Sequence, residues 1–93
     1  MIRSFADKET EKIWRETRSR KLPDDIQDRA LQRLRLLHAA DVLESLRFPP
    51  SNRLHALSHD RKGQHAIAIN RQWRVCFRWQ EGHAYDVEIT DYH

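Results

Sequence analysis

The sequence predicts an α+β fold with helices in its first half and a sheet in its second half. Apolar residues recur at helical spacing before residue 47, and from Leu54 onward they alternate with polar residues as in a half-buried strand. The 93 residues are 39% hydrophobic and 33% charged, a composition typical of a small globular protein. We therefore expect one domain over residues 1–93 with a compact core.

The first predicted helix begins at Asp7, whose side chain is a good N-cap, and runs to about Thr17. It is highly charged, and its few apolar anchors are Phe5, Ile13 and Trp14. Because so few apolar side chains can face the core, we expect this helix to be held weakly.

The second predicted helix has the strongest signals. Pro23, Asp24 and Asp25 are typical of a first helical turn. An apolar stripe follows at helical spacing: Ile26, Ala30, Leu34 and Leu37. Asp41 is expected to cap one further turn, and residues 47–52, which include two prolines, are expected to form a loop.

Three strands are predicted after this loop, and the middle one has the clearest pattern. Its apolar residues, which share one face, are Trp73, Val75, Phe77 and Trp79. The alternate residues, on the opposite face, are Arg74, Cys76 and Arg78. The flanking strands are expected to place Ile67, Ile69, Tyr85, Val87 and Ile89 on the same buried face.

The turn between the last two strands is predicted from the same alternation. A two-residue loop, Glu81–Gly82, would put an acid opposite Phe77 on the core face. A three-residue loop over 80–82 pairs Phe77 with Tyr85 and leaves the glycine at the left-handed position such loops need. We therefore expect the three-residue loop.

In that register Arg74 lies opposite Glu88, so two roles stay open for this arginine. One is a cross-strand ion pair that contributes about 0.2 to 1 kcal/mol. The other is a contact with phosphate, because an arginine oriented by an acid still presents donors to a ligand.

Basic residues are concentrated in the middle of the chain. The net charge is only +3, but residues 47–79 contain one acid, Asp60, against seven bases: Arg47, Arg53, Arg61, Lys62, Arg71, Arg74 and Arg78. Two interpretations follow. The arginines form a phosphate-binding surface, or they form a solvated strand face paired with the four acids of residues 80–93.

Several classes of protein are excluded by the composition. No apolar stretch approaches the length of a membrane span, and the first residues lack the apolar segment of a signal peptide. The single cysteine, Cys76, cannot form an internal disulfide, and no Cys/His spacing resembles a zinc site. We expect a cytoplasmic protein.

The last three residues, Asp91, Tyr92 and His93, supply an acid, a hydroxyl and an imidazole directly after a strand-like run over 85–90. If the strand held them in place, they would suit proton transfer at a phosphodiester, because imidazole can act as general base or general acid. The alternative is a solvated tail.

Four sequence runs together resemble the HigB branch of the RelE-type toxins, which belong to type II toxin-antitoxin systems. The runs are RLHAL at 53–57, DRKGQHAI at 60–67, NRQWRVCF at 70–77 and DYH at 91–93. The resemblance extends over most of the chain, including its MIRSF opening and its length.

The resemblance implies a small RelE-like fold, in which two to three N-terminal helices pack on a mainly antiparallel twisted sheet with an early strand near Ile2 to Ser4. It implies a ribosome-dependent endonuclease that cleaves mRNA in the A site without a metal or cofactor, by attack of the ribose 2′-hydroxyl on the adjacent phosphate. It also implies a HigA-like helix-turn-helix antitoxin as partner, with the free toxin monomeric.

Residue roles carried over from the family concern five positions. His55 and His93 are the acid/base pair, with either assignment open, and Arg74 holds the scissile phosphate. Asp91 orients an imidazole or contacts RNA. Tyr92 stacks on a base or hydrogen-bonds the sugar.

Three further residues, Arg61, Lys62 and Arg71, are expected to contact ribosomal RNA. Ser58 stands where some relatives have a lysine. In this chain, the alternatives for any charge-stabilising role of that lysine are Lys62 and Arg61. Two other functions stay open: a non-catalytic toxin that binds a protein such as DNA gyrase, as related toxins on this fold do, and a passive RNA-binding module.

Overall fold

The computed structural model describes residues 1–92 of the chain. Two α-helices come first, α1 (Lys8–Trp14) and α2 (Asp24–Ala39). Four strands follow, which are β1 (His55–Ala56), β2 (His65–Ala68), β3 (Trp73–Gln80) and β4 (His83–Asp91). Single 3₁₀ turns lie at Leu43–Arg47, Pro50–Asn52 and His59–Arg61. No helix in this part of the chain is long and apolar enough to cross a membrane.

The α1 helix begins where it was predicted but ends earlier. Asp7 is at the N-cap position, yet its side chain makes no capping hydrogen bond. The helix stops at Trp14 instead of continuing to Thr17, and Glu16 has a left-handed φ of 61°. The amide of Thr17 then donates to the carbonyl of Lys12 at 2.8 Å, which closes the helix end.

The α2 helix agrees with the predicted stripe, because all four of its stripe residues are buried. The extra turn expected after Asp41 is the 3₁₀ turn Leu43–Arg47, which buries Leu46. The predicted loop over 47–52 contains another short 3₁₀ turn, Pro50–Asn52. The buried amide of Asn52 donates to the carbonyls of Leu46 and Phe48, so it fixes this segment.

The sheet has the order β1-β2-β3-β4, and every neighbouring pair is antiparallel. The early strand implied by the resemblance is present as two isolated parallel bridges, Ile2 to Ala84 and Phe5 to Val87. This segment lies along the outer edge of β4. Both helices pack on one face of the sheet, so the α+β, mainly antiparallel fold is confirmed.

The core lies between the helices and that face of the sheet. Its fully or almost fully buried members include Ile13, Ile26, Leu34, Leu37, Ile67, Ile69, Val75, Phe77, Val87 and Ile89. Trp73 and Trp79 pack against it while staying partly exposed. The alternation in β3 therefore predicted the buried face correctly.

The predicted hairpin register is wrong. The turn is the two-residue loop Glu81–Gly82, with Gln80 paired to His83, and both loop residues have positive φ, at 49° and 82°. The register then shifts by one residue between Cys76 and Arg78, because β4 holds an extra residue at this point.

The bulge restores the apolar side chains of β4 to the core. Asp86, at the extra position, has a φ of 53° and is exposed, whereas Val87 is fully buried. Ala84 takes the core position expected for Tyr85, which instead lies opposite Arg78. An uninterrupted strand was assumed in the prediction, and alternation alone carries no signal of an inserted residue.

Candidate active site on the arginine face of the sheet

The face of the sheet that points away from the helices carries a row of four residues, one from each strand. His55 pairs with Ala66, Ala66 with Cys76, and Cys76 with Glu88. Directly paired residues share a face, so the imidazole of His55 and the carboxylate of Glu88 belong to the same surface. We call it the arginine face, after Arg74, which belongs to the adjacent row.

Arg74 lies opposite Thr90, not opposite Glu88 as predicted, because the two-residue loop and the bulge in β4 each shift the pairing by one residue. Its guanidinium carbon sits 4.7 Å from the centre of the Tyr92 ring, a cation–π contact that orients the side chain. Its Nε is buried and has no hydrogen-bond partner among residues 1–92. A buried donor without a partner costs free energy unless a ligand or water supplies an acceptor.

Arg61 reaches the arginine face from the 3₁₀ turn His59–Arg61. Its Nη1 donates to the Glu88 carboxylate and to the Gln64 side-chain oxygen, both at 3.0 Å. Burial alone would lower the pKa of Arg61, but the hydrogen bond and charge of Glu88 raise it above its ordinary value. The guanidinium is therefore fixed in position and permanently charged.

Arg61 and Arg74 line one open cavity of about 320 Å³. The rest of its lining comes from Leu57, Ser58, His59 and Asp60. Two guanidiniums beside one cavity match the needs of a bound phosphodiester, whose non-bridging oxygens accept hydrogen bonds from both. Arg61 thus occupies the place near Ser58 where a charge-stabilising side chain was expected.

His55 lies on the exposed edge strand of the arginine face. Its Nδ1 is 2.8 Å from the carbonyl oxygen of Arg53. Because a carbonyl can only accept, Nδ1 carries the proton and Nε2 of the neutral ring holds a free lone pair. Strand spacing places the Cα atoms of His55 and Arg74 on the order of 12 Å apart, a span that their side chains can share around one phosphate.

Residues 90–92 are attached to the sheet, so Asp91 and Tyr92 are not part of a solvated tail. Asp91 is the last residue of β4 and pairs with Trp73, and its carboxylate accepts a hydrogen bond from the Gln72 amide at 2.9 Å. The backbone N–H of Tyr92 donates to the Gln72 carbonyl at 2.8 Å. His93 lies outside the described residues.

Lys62 and Arg71, both expected to contact RNA, are exposed. Lys62 follows the 3₁₀ turn that carries Arg61. Arg71 lies in the β2–β3 connection and lines a different groove, together with Arg53. The structure therefore brings Arg61, Arg74 and Tyr92 together and separates Arg71 from them.

Two residues that position the site were missed by sequence reasoning. Glu88 and Gln64 hold Arg61, and the wrong hairpin register hid the role of Glu88 by pairing it with Arg74. The sequence did contain a signal for Glu88, since it is an acid on the polar face of a strand.

Cys76 is buried beneath the arginine face, and burial raises the pKa of its thiol, which disfavours the reactive thiolate.

Within residues 1–92 no three His, Cys, Asp or Glu side chains cluster closely enough to hold a metal ion. The functional groups gathered at the arginine face are the imidazole of His55, the guanidiniums of Arg61 and Arg74, and the phenol of Tyr92. These groups can bind a phosphate and accept a proton beside it.

Comparison with known proteins identifies relatives over the whole chain. The family model for the RelE-like toxin HigB of type II toxin-antitoxin systems matches residues 3–93. Toxin HigB-1 of Vibrio cholerae serotype O1 is 35% identical over 83 residues, which cover 88% of this chain and 87% of that protein. Endoribonuclease HigB of Proteus vulgaris is 30% identical over 93 residues, the full length of both chains.

A crystal structure of a mutant of YafQ from E. coli has the same fold, with a TM-score of 0.65 and 13% sequence identity. The match covers 99% of this chain and 92% of that one. The family match and the Proteus vulgaris relative extend over the strands and loops that build the arginine face. The chain belongs to the HigB-like family of RelE-type toxins, which act in type II toxin-antitoxin systems.

Proposed function

We propose that the protein is an mRNA endoribonuclease that cleaves in the ribosomal A site, without a metal, by attack of a ribose 2′-hydroxyl on the adjacent phosphate. The observation that carries this proposal is the pair of guanidiniums, Arg61 and Arg74, beside one cavity on the face that also holds His55. The name of the Proteus vulgaris relative, Endoribonuclease HigB, supports the same activity.

His55 is the general base in the proposed reaction. Its Nε2 lone pair takes the proton from the 2′-hydroxyl, while the Nδ1–H stays on the Arg53 carbonyl. The freed oxygen attacks phosphorus, and a new P–O bond forms. The orientation set by the backbone carbonyl is the reason for assigning the base role to His55.

Arg74 and Arg61 stabilise the charge that develops on the phosphoryl oxygens. The buried Nε of Arg74 lacks an acceptor among residues 1–92, and a non-bridging oxygen would supply one. Tyr92 holds this guanidinium by its ring face. Glu88 and Gln64 hold Arg61 so that little reorganisation is needed when the charge appears.

His93 is assigned as the general acid by its family resemblance. It protonates the 5′-oxygen as the P–O5′ bond breaks, so the products are a 2′,3′-cyclic phosphate and a 5′-hydroxyl. Asp91 is proposed to orient this imidazole or to contact RNA. Lys62 and Arg71, both exposed, are proposed to contact ribosomal RNA.

Family membership implies an antitoxin as the cognate partner. We propose that this antitoxin is a HigA-like helix-turn-helix protein, and that the toxin is monomeric in the cytoplasm when it is free. The ribosome and its mRNA are the other proposed partners.

The test compares wild type with His55→Ala and Arg74→Ala on end-labelled mRNA, either free or programmed on 70S ribosomes, with EDTA added to the free-RNA reaction. A matched control is Arg15→Ala, because Arg15 is exposed at the C-cap of α1 and pairs only with Glu11 among the described residues. We expect A-site cuts with wild type and control and none with the site variants. Intact message under wild-type toxin that still arrests growth would overturn the proposal and favour a protein target such as gyrase.

A further inference from the structure

A second groove, of about 570 Å³, lies between α2 and the β2–β3 connection. Its charged lining consists of four arginines, Arg29, Arg33, Arg53 and Arg71, and no Asp or Glu among residues 1–92 lines it. Ser51 and Gln32 add neutral polar groups. We call it the arginine groove.

None of these four arginines forms an ion pair within residues 1–92. The acids of the chain neutralise other arginines instead, at Arg15, Arg18, Arg35, Arg47, Arg61 and Arg78. Four unpaired cations around one groove repel one another, and an anion bound among them removes that repulsion. The distribution of pairs therefore leaves this groove as a concentrated positive surface.

Two of the arginines are fixed against the end of β2. The Nε of Arg33 donates to the Ala68 carbonyl at 3.0 Å, and Nη1 of Arg29 reaches the Ile69 carbonyl at 3.5 Å. Burial lowers the pKa of Arg33, and the nearby charge of Arg29 lowers it further. The remaining donors of each guanidinium stay available for a ligand, in a geometry already set by the backbone.

Arg71 is presented by an ordered turn. The side-chain oxygen of Asn70 accepts hydrogen bonds from the amides of Gln72 and Trp73, at 2.8 and 2.7 Å. Such a turn fixes the backbone that carries Arg71 at the groove wall.

Arg53 connects the groove to the arginine face. Its side chain lines the groove, while its carbonyl accepts the Nδ1–H of His55 at 2.8 Å. A polyanion bound at His55 can therefore continue into the groove past Arg53. An RNA strand, with one phosphate per nucleotide, fits this continuity better than an acidic peptide, which has no reason to begin at the catalytic imidazole.

We propose that the arginine groove binds phosphates of the mRNA backbone away from the scissile bond, which assigns Arg71 to the message and not to ribosomal RNA. The inference deepens the proposed function and rests on it for the identity of the polyanion. Planar guanidiniums with fixed hydrogen bonds match phosphate oxygens bidentately. The groove supplies affinity and register, and the arginine face supplies the reaction.

The test uses a fluorescein-labelled 2′-O-methyl RNA 12-mer, which lacks the attacking hydroxyl and stays intact. Binding is measured by fluorescence anisotropy from low to moderate salt for wild type, for Arg53→Gln with Arg71→Gln, and for a charge-matched control, Arg15→Gln with Arg35→Gln. Both control residues are exposed and pair with acids away from the groove. Circular dichroism checks that all three are folded.

We expect the groove variant to bind more weakly and to lower the slope of log affinity against log salt by about 1.4, since each single-strand phosphate contact contributes roughly 0.7. The control should keep the wild-type slope. Equal slopes for groove variant and control, or no measurable wild-type binding at low salt, would overturn the inference. The inference would also be overturned if poly-glutamate of the same length bound as tightly as the RNA and lost the same affinity in the groove variant. That result would indicate that the groove binds an acidic protein.

The experiments distinguish failure of the groove proposal from failure of the cleavage proposal. Arg74→Ala should abolish ribosomal cleavage while keeping the wild-type salt slope to within one phosphate contact. If the wild type does not cleave mRNA on ribosomes but the groove variant still lowers the slope of log affinity against log salt, the cleavage proposal is rejected. The proposal that the groove binds the RNA backbone is then retained.

Discussion

The guanidinium of Arg61 donates to the carboxylate of Glu88 at 3.0 Å across 27 residues of sequence, joining a 3₁₀ turn to the central part of β4. Both side chains are about one-third exposed, at 30% and 31%. An ion pair at that exposure contributes at most about 1 kcal/mol to stability. Its importance is positional, because it fixes Arg61 beside the cavity that Arg74 also lines.

Glu88→Gln should therefore lower cleavage far more than it lowers stability. The amide keeps the shape of the side chain but loses the charge that orients Arg61, so we expect kcat to fall roughly tenfold or more while the free energy of unfolding changes by less than about 1 kcal/mol. Single-turnover cleavage on programmed ribosomes and urea unfolding measure the two quantities.

The matched control for Glu88 is Glu44→Gln, which removes an exposed ion pair with Arg47 far from the arginine face. It should leave both quantities unchanged. Wild-type cleavage by the Glu88 variant would show that Arg61 is positioned without its acid.

Arg74 and Tyr92 should behave as a unit. Arg74→Lys keeps the charge but loses the planar donors and the flat contact with the ring, so we expect cleavage to fall by about 10²- to 10³-fold. Tyr92→Phe keeps the ring beneath Arg74 and should lose less activity than Tyr92→Ala. Equal losses in the two Tyr92 variants, measured as kcat, would argue that the hydroxyl matters and the ring contact does not.

The acid and the base can be separated with a modified message. A bridging sulfur in place of the 5′-oxygen at the cleavage site is a leaving group that needs no proton. His93→Ala should regain cleavage on this substrate, whereas His55→Ala should remain inactive because the 2′-hydroxyl still needs its base. Rescue of the His55 variant instead would reverse the two assignments.

The stability of the protein should depend on pH through Glu9. The hydroxyl of Ser19 donates to the Glu9 carboxylate at 2.6 Å, and this hydrogen bond, assisted by Lys12, lowers the pKa of Glu9 below its ordinary value of about 4.5. A lowered folded pKa stabilises the fold above that ordinary value. The contribution disappears as the pH falls through the lowered value.

Thermal unfolding between pH 3 and 7 tests this dependence. Glu9→Gln should lose less stability than wild type as the pH falls below 4.5, since it has no proton to bind there. Asp28→Asn is a suitable control, because this acid is almost fully exposed and pairs only weakly with Arg18. Parallel curves for wild type and Glu9→Gln would contradict the assignment.

The fold was predictable where one periodicity holds over a whole element. The stripe of α2 and the alternation of β3 both describe surfaces that are continuous in the structure, so residues such as Leu34 and Phe77 were placed correctly. The end of α1 and the hairpin register failed for a common reason. The helix end depends on Glu16, and the hairpin register depends on Glu81 in the loop and Asp86 at the bulge. All three have positive φ, and none is a glycine that would signal it.

The site was predictable in its residue types and less so in its connections. Arg74 and Tyr92, which belong to two separate runs of the family resemblance, lie together in the structure, although no contact between them was predicted. The partnership of Arg61 with Glu88 was not predicted, because the expected register paired Glu88 with Arg74. Non-local pairs of this kind follow from register, which short-range patterns determine poorly.

The segment at residues 2–5 is held against β4 by main-chain bonds, and the Ser4 hydroxyl accepts the amide proton of Asp86 from 82 residues away. Contacts this distant in sequence close late in folding. The strand that they fasten also brings Glu88 and Tyr92 to the arginine face. During synthesis the helices emerge first and this strand emerges last. The ribosome therefore synthesises nearly the entire polypeptide before the residues proposed to cleave mRNA can come together.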